Sequence, residues 1–152
     1  MAHRTVTLKG DPLRYEAIAS GAISPGHLVE LTNATADTVK VQTSTGPAVE
    51  RAVALEDELQ GNEIGDAYTT ANIVQYALFR PGDMAVLRLK NGENAAKGNF
   101  LVSAGSGEVA VMVADSSGVI VEQVPIGIAM EGVDMSSSSA VDPSPLIAVR
   151  FL

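Results

Sequence analysis

The sequence contains no cysteine, no tryptophan and few other aromatic residues. The absence of cysteine excludes disulfide bonds, thiolate metal ligands and a cysteine nucleophile. Aromatic residues make up 4% of the 152 residues although 46% are hydrophobic, so the core must consist mainly of Val, Ala, Ile and Leu. Because large aromatic side chains usually dominate the energetics of a core, we expect oligomerisation or a partner to add stability.

Basic residues are also scarce. Ten Lys and Arg residues stand against 18 Asp and Glu residues, which gives a formal net charge of -8. This balance disfavours a nucleic-acid partner, because phosphate contacts require a stripe of basic side chains. Residues 1–16 carry three of the basic and two of the acidic residues, so a slightly basic arm precedes an acidic body.

Long hydrophobic runs are missing as well. No run approaches the roughly 18 apolar residues of a membrane-spanning helix. The opening stretch, MAHRTVTLKGDP, lacks the apolar centre of a signal peptide. We therefore expect a soluble chain that is made in the cytosol and has no membrane partner.

Short apolar segments recur along the chain and are broken by Gly, Pro, Asn, Asp and Ser at intervals of roughly 8 to 12 residues. This spacing is typical of an all-β sandwich or barrel with little helix. The predicted strands cover residues 28–32, 38–43, 51–56, 73–79, 84–89, 100–103, 108–114, 119–124, 126–131 and 146–151. Glycine-containing turns predict hairpins at 104–107 and 115–118.

Two other segments interrupt the strand pattern. Pro125 and Gly127 predict a strand that bends or bulges, because proline cannot donate a hydrogen bond to a central ladder. The segment from Ser136 to Pro145 reads as a flexible loop before the last strand.

A phrase of glycine, a polar residue and an apolar strand occurs three times, in ISPGHLVEL, FRPGDMAVL and AAKGNFLVS. Such a phrase could line a pocket or could be a way of starting strands. Proline presets the backbone for a turn and glycine supplies a positive φ. We therefore interpret the first two as turns, with Gly26 and Gly82 in the left-handed region and His27 and Asp83 incidental to chemistry.

Candidate catalytic and metal-binding residues are few. His3 and His27 are the two histidines, and no His-x-x-x-His spacing joins them. A Gly-x-Ser-x-Gly elbow and a phosphate-binding loop are both missing. We predict no enzyme activity, no cofactor and no metal site.

Five acidic residues are concentrated in the segment 55–72. They lack the ligand periodicity of a calcium loop, and paired catalytic carboxylates cannot be identified by spacing alone. A solvated acidic face is the favoured interpretation, and the residues are Glu56, Asp57, Glu58, Glu63 and Asp66.

The N-terminal stretch HRTVTLKG alternates apolar and polar residues, and LRYEAIAS after it could be extended or one helical turn. An extended strand here could pair with the exposed sheet edge of a neighbour or dock on its own domain. Both alternatives make it a contact element. We predict an N-terminal arm at 1–18 and a single β domain at 19–152.

Three phrases together resemble the head decoration, or capsid cement, proteins of tailed bacteriophages. They are RTVTLKGDPLRYEAIASGAISPGHLVEL, ALEDELQGNEIGDAYTTANIVQYALFRPGD and the closing IGIAMEGVDMS with PLIAVRFL. The resemblance implies a compact β body of barrel or tulip type with an extended N-terminal arm. It also implies a homotrimer on the outer face of the virion capsid, with the major capsid protein as partner and stabilisation of the expanded shell as function.

The resemblance places the arm from His3 to Tyr15 on the capsid or on a neighbouring subunit. The implied contact residues are Arg4, Val6, Leu8, Lys9, Leu13, Arg14 and Tyr15. Two alternatives remain open. One is a surface-binding module that recognises glycans or a host through loop residues such as Asp115 and Ser116, and the other is an enzyme subunit that uses the carboxylates between Glu56 and Asp66.

Overall fold

The computed structural model describes residues 3–32, 36–45, 50–113, 123–138 and 145–152. These residues form short β-strands and one 3₁₀-helix, Glu58–Gln60. The strands are β1 Thr7–Lys9, β2 Leu13–Ala19, β3 Val29–Leu31, β4 Thr38–Val41, β5 Ala52–Ala54, β6 Ile73–Leu78, β7 Met84–Arg88, β8 Asn94–Ala95, β9 Phe100–Ser103, β10 Val109–Val111, β11 Gly127–Ala129, β12 Val133–Asp134 and β13 Leu146–Phe151.

The strands form two large sheets and one small sheet. The five-stranded sheet has the order β3-β4-β2-β6-β5 and takes all its strands from residues 13–78. The six-stranded sheet has the order β1-β7-β13-β11-β9-β10, and β12 pairs with β8 separately. All pairs are antiparallel except β2 with β4. Strand β1 is thus the one strand before residue 84 that belongs to the six-stranded sheet.

The predicted all-β fold with little helix is confirmed, but neither sheet closes into the predicted barrel. The edges of the five-stranded sheet meet through one isolated bridge, between Leu28 and Val53. A similar bridge, between Leu89 and Val109, joins β10 to the end of β7. A closed barrel requires a continuous ladder at the seam, and a single residue pair does not supply one.

The buried side chains form two hydrophobic clusters. Cluster 1 combines residues of both large sheets, including Val53 and Ala77 from one and Leu87 from the other. The rings of Phe79 and Phe151 stack in this cluster with centroids 5.0 Å apart. Cluster 2 lies on one face of the five-stranded sheet and consists of Ala17, Ala19, Ile23, Val29, Val39, Ala52, Ala54, Tyr68, Val74 and Tyr76. The two sheets are therefore held together by one shared core.

Most predicted strands coincide with observed ones. The bounds agree for β9 and β13, and seven further predicted strands overlap β3, β4, β5, β6, β7, β10 and β11. The predicted strand 119–124 lies mainly outside the described residues. The two-residue strands β8 and β12 were not predicted, because such short pairings leave no apolar pattern in the sequence.

The predicted loops and hairpins have different outcomes. The 104–107 hairpin is confirmed, since the Ala104 N–H donates to the Glu108 carbonyl at 2.9 Å. The 115–118 hairpin and most of the loop that begins at Ser136 lie outside the described residues. The predicted bulge at Gly127 is wrong, because β11 keeps a regular register with both neighbours. The interruption lies at Pro125, before the strand begins.

The N-terminal segment is integrated into the two sheets of its own chain. Strand β1 pairs with β7, and β2 lies between β4 and β6 in the middle of the five-stranded sheet. In the single chain, therefore, the segment docks on its own domain, which is one of the two alternatives the sequence leaves open. The predicted boundary after residue 18 falls within β2, and the division into an arm and a body stays a prediction.

Turns of one kind precede three of the strands. They span residues 24–27, 80–83 and 96–99, which are the repeated phrases of the sequence. In each turn the fourth residue's N–H donates to the first residue's carbonyl at 3.0 Å, and its side chain accepts from the first residue's N–H. The third residue is a glycine with φ of 86°, 95° and 94° in Gly26, Gly82 and Gly98. The interpretation of the phrase as a turn is confirmed.

We predict that Gly82→Ala destabilises the protein by about 1 to 2 kcal/mol, because a side chain disfavours the left-handed backbone. Nothing lies within 4 Å of the added Cβ, so the effect isolates backbone conformation. Gly21→Ala is the matched control, since Gly21 has equal space and no positive φ. Urea unfolding should show a loss only for Gly82→Ala, and equal stability of the two variants would contradict the assignment.

Candidate interaction surfaces

The described residues contain no group of three or more His, Asp or Glu side chains that could hold a metal ion. Within the same ranges no helix is long and apolar enough to cross a bilayer. The side chains singled out in the sequence make separate contacts, as follows from their positions in the fold.

His27 completes its turn. Its Nδ1 accepts a hydrogen bond from the Ser24 N–H at 3.1 Å. Burial, and then the nearby positive charge of Arg88, lower the pKa of His27 from 6.5 to about 4. Arg88 is itself held by the Pro25 carbonyl, to which its Nε donates at 2.9 Å. The imidazole is thus a neutral acceptor within the turn.

His3 fixes the start of the described chain to the body. Its Nε2 lies 2.6 Å from Oε1 of Glu131, and the same oxygen accepts from the Ala148 N–H at 2.8 Å. Burial raises the pKa of Glu131, but the hydrogen bonds from Ala148 and His3 outweigh it and hold that pKa below its ordinary value. The two histidines lie in separate places and serve separate contacts.

The acidic segment is not a uniformly solvated face, which corrects the sequence interpretation for two of its five residues. Glu56 and Asp57 are only 7% and 6% exposed. Glu56 accepts hydrogen bonds from the Thr5 hydroxyl and, at 3.0 Å, from the Val6 N–H. Asp57 caps the 3₁₀-helix by accepting from the Gln60 N–H. The other three, Glu58, Glu63 and Asp66, are exposed as predicted.

These contacts give the predicted arm residues different surroundings. Val6 is fully buried in cluster 1, and Leu8 packs half-buried against that cluster. Arg4 and Lys9 are exposed beside the edge of the six-stranded sheet. The remaining three, Leu13, Arg14 and Tyr15, are exposed on β2 of the other sheet. The structure therefore separates the seven predicted contact residues into two locations and places one of them in the core.

A second surface lies on β2 and β6 and is called here the β2–β6 face. Alternate residues of a strand point to opposite sides, so Ala17 and Ala19 face cluster 2 while Glu16 and Ile18 face outward. Ile18 is paired with Ile73 of β6, and the two are 41% and 58% exposed. Leu59, on the adjacent 3₁₀-helix, is 85% exposed.

Two open grooves run across this face. One has a volume of about 440 Å³ and is lined by Arg14, Tyr15, Glu16, Glu58, Leu59 and Gln75. The other has a volume of about 310 Å³ and is lined by Glu16, Ala17, Ile18, Asp37 and Ile73. Both combine aliphatic side chains with carboxylates, an arrangement suited to contact with another protein.

The sequence did not identify the β2–β6 face. The segment LRYEAIA alternates between a side with Leu13, Tyr15 and two alanines and a side that mixes charge with Ile18, but the sequence left open whether it is extended or one helical turn. Which strand lies beside β2 depends on pairing across more than fifty residues, as Ile18 with Ile73 shows. The signal that could have indicated the β2–β6 face is the presence of Ile18 on the same side of β2 as the charged residues Arg14 and Glu16.

No protein-family profile matches the chain, and no curated protein sequence matches it significantly. Among solved structures, the chain is similar to the N base of head fiber gp8.5 in bacteriophage phi29, with a TM-score of 0.58. The similarity covers 92% of this chain and 93% of that chain, at 9% sequence identity. The two proteins therefore share a fold over nearly their whole compared lengths.

The depressed pKa of His27 predicts a pH-dependent stability. Between pH 6.5 and about 4, His27 is protonated in the unfolded chain but neutral in the folded chain. The free energy of unfolding is therefore highest above pH 6.5 and decreases as the pH falls toward 4. We expect His27→Asn to remove roughly 2 kcal/mol of the stability change between about pH 7 and pH 5. Asn99 accepts the same turn hydrogen bond elsewhere in the chain, so the variant keeps the turn. The measurement is urea unfolding of both proteins between about pH 5 and pH 7. The same pH dependence of the free energy of unfolding in His27→Asn and the unaltered protein would contradict this assignment.

The buried contact of Glu56 predicts a specific loss. Glu56→Ala removes both acceptor oxygens, so we expect a loss of about 1 to 3 kcal/mol and faster hydrogen exchange at the Val6 amide. Glu58→Ala, at an exposed neighbour, is the control and should change neither quantity. Equal exchange rates in the two variants would show that Glu56 does not hold the segment.

Proposed function

We propose that the protein is a structural component of a bacteriophage head, which binds the outer face of the capsid as a homotrimer and stabilises the expanded shell. The observation that carries this proposal is the fold shared with the N base of a phage head fiber across 92% of the chain. The partner is the major capsid protein, and no catalytic step is part of the function.

The finer role, as a decoration protein, comes from the sequence phrases, which resemble that family, although no family profile or curated sequence matches the chain. The fold comparison, at 9% identity, supports the broader role in a phage head. One argument therefore rests on residues and the other on backbone geometry. Both are consistent with a protein carried on the outside of a phage head.

A cement protein acts by binding across neighbouring subunits. Binding only to the assembled state shifts the equilibrium toward that state, and three linked copies gain further through their high effective concentration. The exposed residues Arg4 and Lys9, with Leu13, Arg14 and Tyr15 on β2, are the proposed capsid or subunit contacts. The Val6 side chain is buried in cluster 1 and so holds the backbone that carries Arg4 and Lys9 in place.

No observation favours the alternatives. The loop with Asp115 and Ser116, proposed for glycan or host recognition, lies outside the described residues. Of the carboxylates proposed for an enzyme, Glu56 is engaged by Thr5 and Val6, and Asp57 caps the 3₁₀-helix. Both residues have structural roles that use the oxygens a catalytic pair would need.

The test is to mix the purified protein with undecorated expanded capsids. We expect co-sedimentation and longer survival of the capsids on heating, and light scattering should give the mass of three chains. A protein that neither co-sediments nor changes capsid survival would refute the role. A monomer in solution that becomes trimeric only on the shell would place assembly on the capsid.

Charge reversal tests the N-terminal contacts more cleanly than deletion, because removing residues 3–15 would also remove β1 and part of β2. We predict that Arg4→Glu with Lys9→Glu weakens capsid binding about tenfold or more, equivalent to roughly 1.4 kcal/mol, with unchanged urea stability. Lys97→Glu, an exposed turn residue, is the control. Equal binding of both variants would remove residues 4 and 9 from the interface.

A further inference from the structure

The β2–β6 face carries an apolar patch. Of the proposed capsid contacts, Arg14 and Tyr15 lie beside this patch, in the groove that Leu59 also lines. Ile18 and Ile73 are cross-strand partners, and Ile73 and Leu59 line the same groove, so the three exposed side chains lie in one region of the face. Clustered exposed hydrophobic side chains rimmed by polar residues are typical of interaction sites. Leu59 is the most exposed large hydrophobic residue of the described chain, at 85%.

The charges around the patch specify the kind of partner. Three exposed acidic residues, Glu16, Asp37 and Glu58, line the two grooves, against one guanidinium, that of Arg14. Within the described part of the chain, none of these three carboxylates has an ion-pair partner. In the described part of the chain, three carboxylates and one guanidinium therefore surround the patch, and the balance of charge is negative.

We propose that the β2–β6 face binds a cationic protein segment in which aliphatic side chains are flanked by Lys or Arg. The aliphatic groups cover Ile18, Ile73 and Leu59, and the flanking cations meet Glu16 and Glu58. Long basic side chains suit this surface because their stems are apolar and their ends are charged. The inference rests on the proposed function only in naming the source of the segment, which is the capsid shell.

A second copy of the chain that presents the same β2–β6 face, as in a twofold dimer, is a poor occupant. Two such faces would bring the acidic groups of one copy against those of the other, and each chain carries a net charge of -8. Like charges placed opposite each other oppose association. Nucleic acid and anionic lipid fail for the same electrostatic reason.

A short peptide of alternating Leu and Lys tests the chemistry directly, with a Leu and Glu peptide of the same pattern as its control. Titration of the full-length protein, followed by amide NMR, should shift signals of residues 13–18, 58–60 and 73–75. The Leu and Glu peptide should leave them unchanged. Shifts confined to other acidic surfaces, or equal binding of the two peptides, would overturn the proposal.

Two substitutions test the patch itself. Leu59→Ser combined with Ile73→Thr should weaken peptide binding about tenfold or more, because most of the covered aliphatic surface is lost. Threonine keeps a β-branched side chain in β6, and circular dichroism should confirm the fold. The control is Leu31→Thr, because Leu31 is as exposed as Ile73 but opposes Val39 on the cluster 2 side of the sheet. Equal affinities of the two variants would overturn the proposal.

Expanded capsids separate this inference from the proposed function. If the wild-type protein does not co-sediment with them, the proposed function fails and the peptide results alone decide the chemistry of the face. If wild type and the double variant co-sediment equally, the function stands and the inference is overturned. Dissociation of a wild-type oligomer by the double variant would show that the face is occupied by a second copy, which also overturns it.

Discussion

The buried carboxylate of Glu56 constrains how the two large sheets are joined. It follows β5 of the five-stranded sheet, yet it accepts hydrogen bonds from Thr5 and Val6, which lead into β1 of the six-stranded sheet. A buried carboxylate without such donors would be strongly unfavourable, so the contact fixes the path of the chain before β1. Val6 is thereby held in cluster 1. The N-terminal segment thus connects the two sheets and also contributes exposed side chains to the surface.

Features set by neighbouring residues were predictable. Turns depend on a few adjacent side chains, so the glycines at 26 and 82 and the 104–107 hairpin followed from local chemistry. Strands with a clear apolar pattern and marked ends, such as β9 and β13, were also located with their bounds. The all-β class followed from the regular spacing of these signals.

Features set by distant residues were not predictable. Glu56 belongs to an acidic run whose composition favours a solvated face, and its burial depends on donors about fifty residues away. The β2–β6 face depends on the pairing of Ile18 with Ile73, which alternation within either strand does not reveal. Of the predicted all-β alternatives, the closed barrel is not formed, because closure depends on how the edge strands meet rather than on strand count.

The distribution of strands along the sequence sets an order for folding during synthesis. Every strand of the five-stranded sheet has been made once residue 78 is complete, so cluster 2 can form while later residues are still being added. The six-stranded sheet must wait for β13, because β7 pairs with it on the side away from β1. Strand β1 lies at the edge of this sheet and pairs with β7, so its ladder partner is complete once residue 88 has been made. Between residue 9 and residue 84, the growing chain therefore holds β1 without the strand that it pairs with in the folded protein.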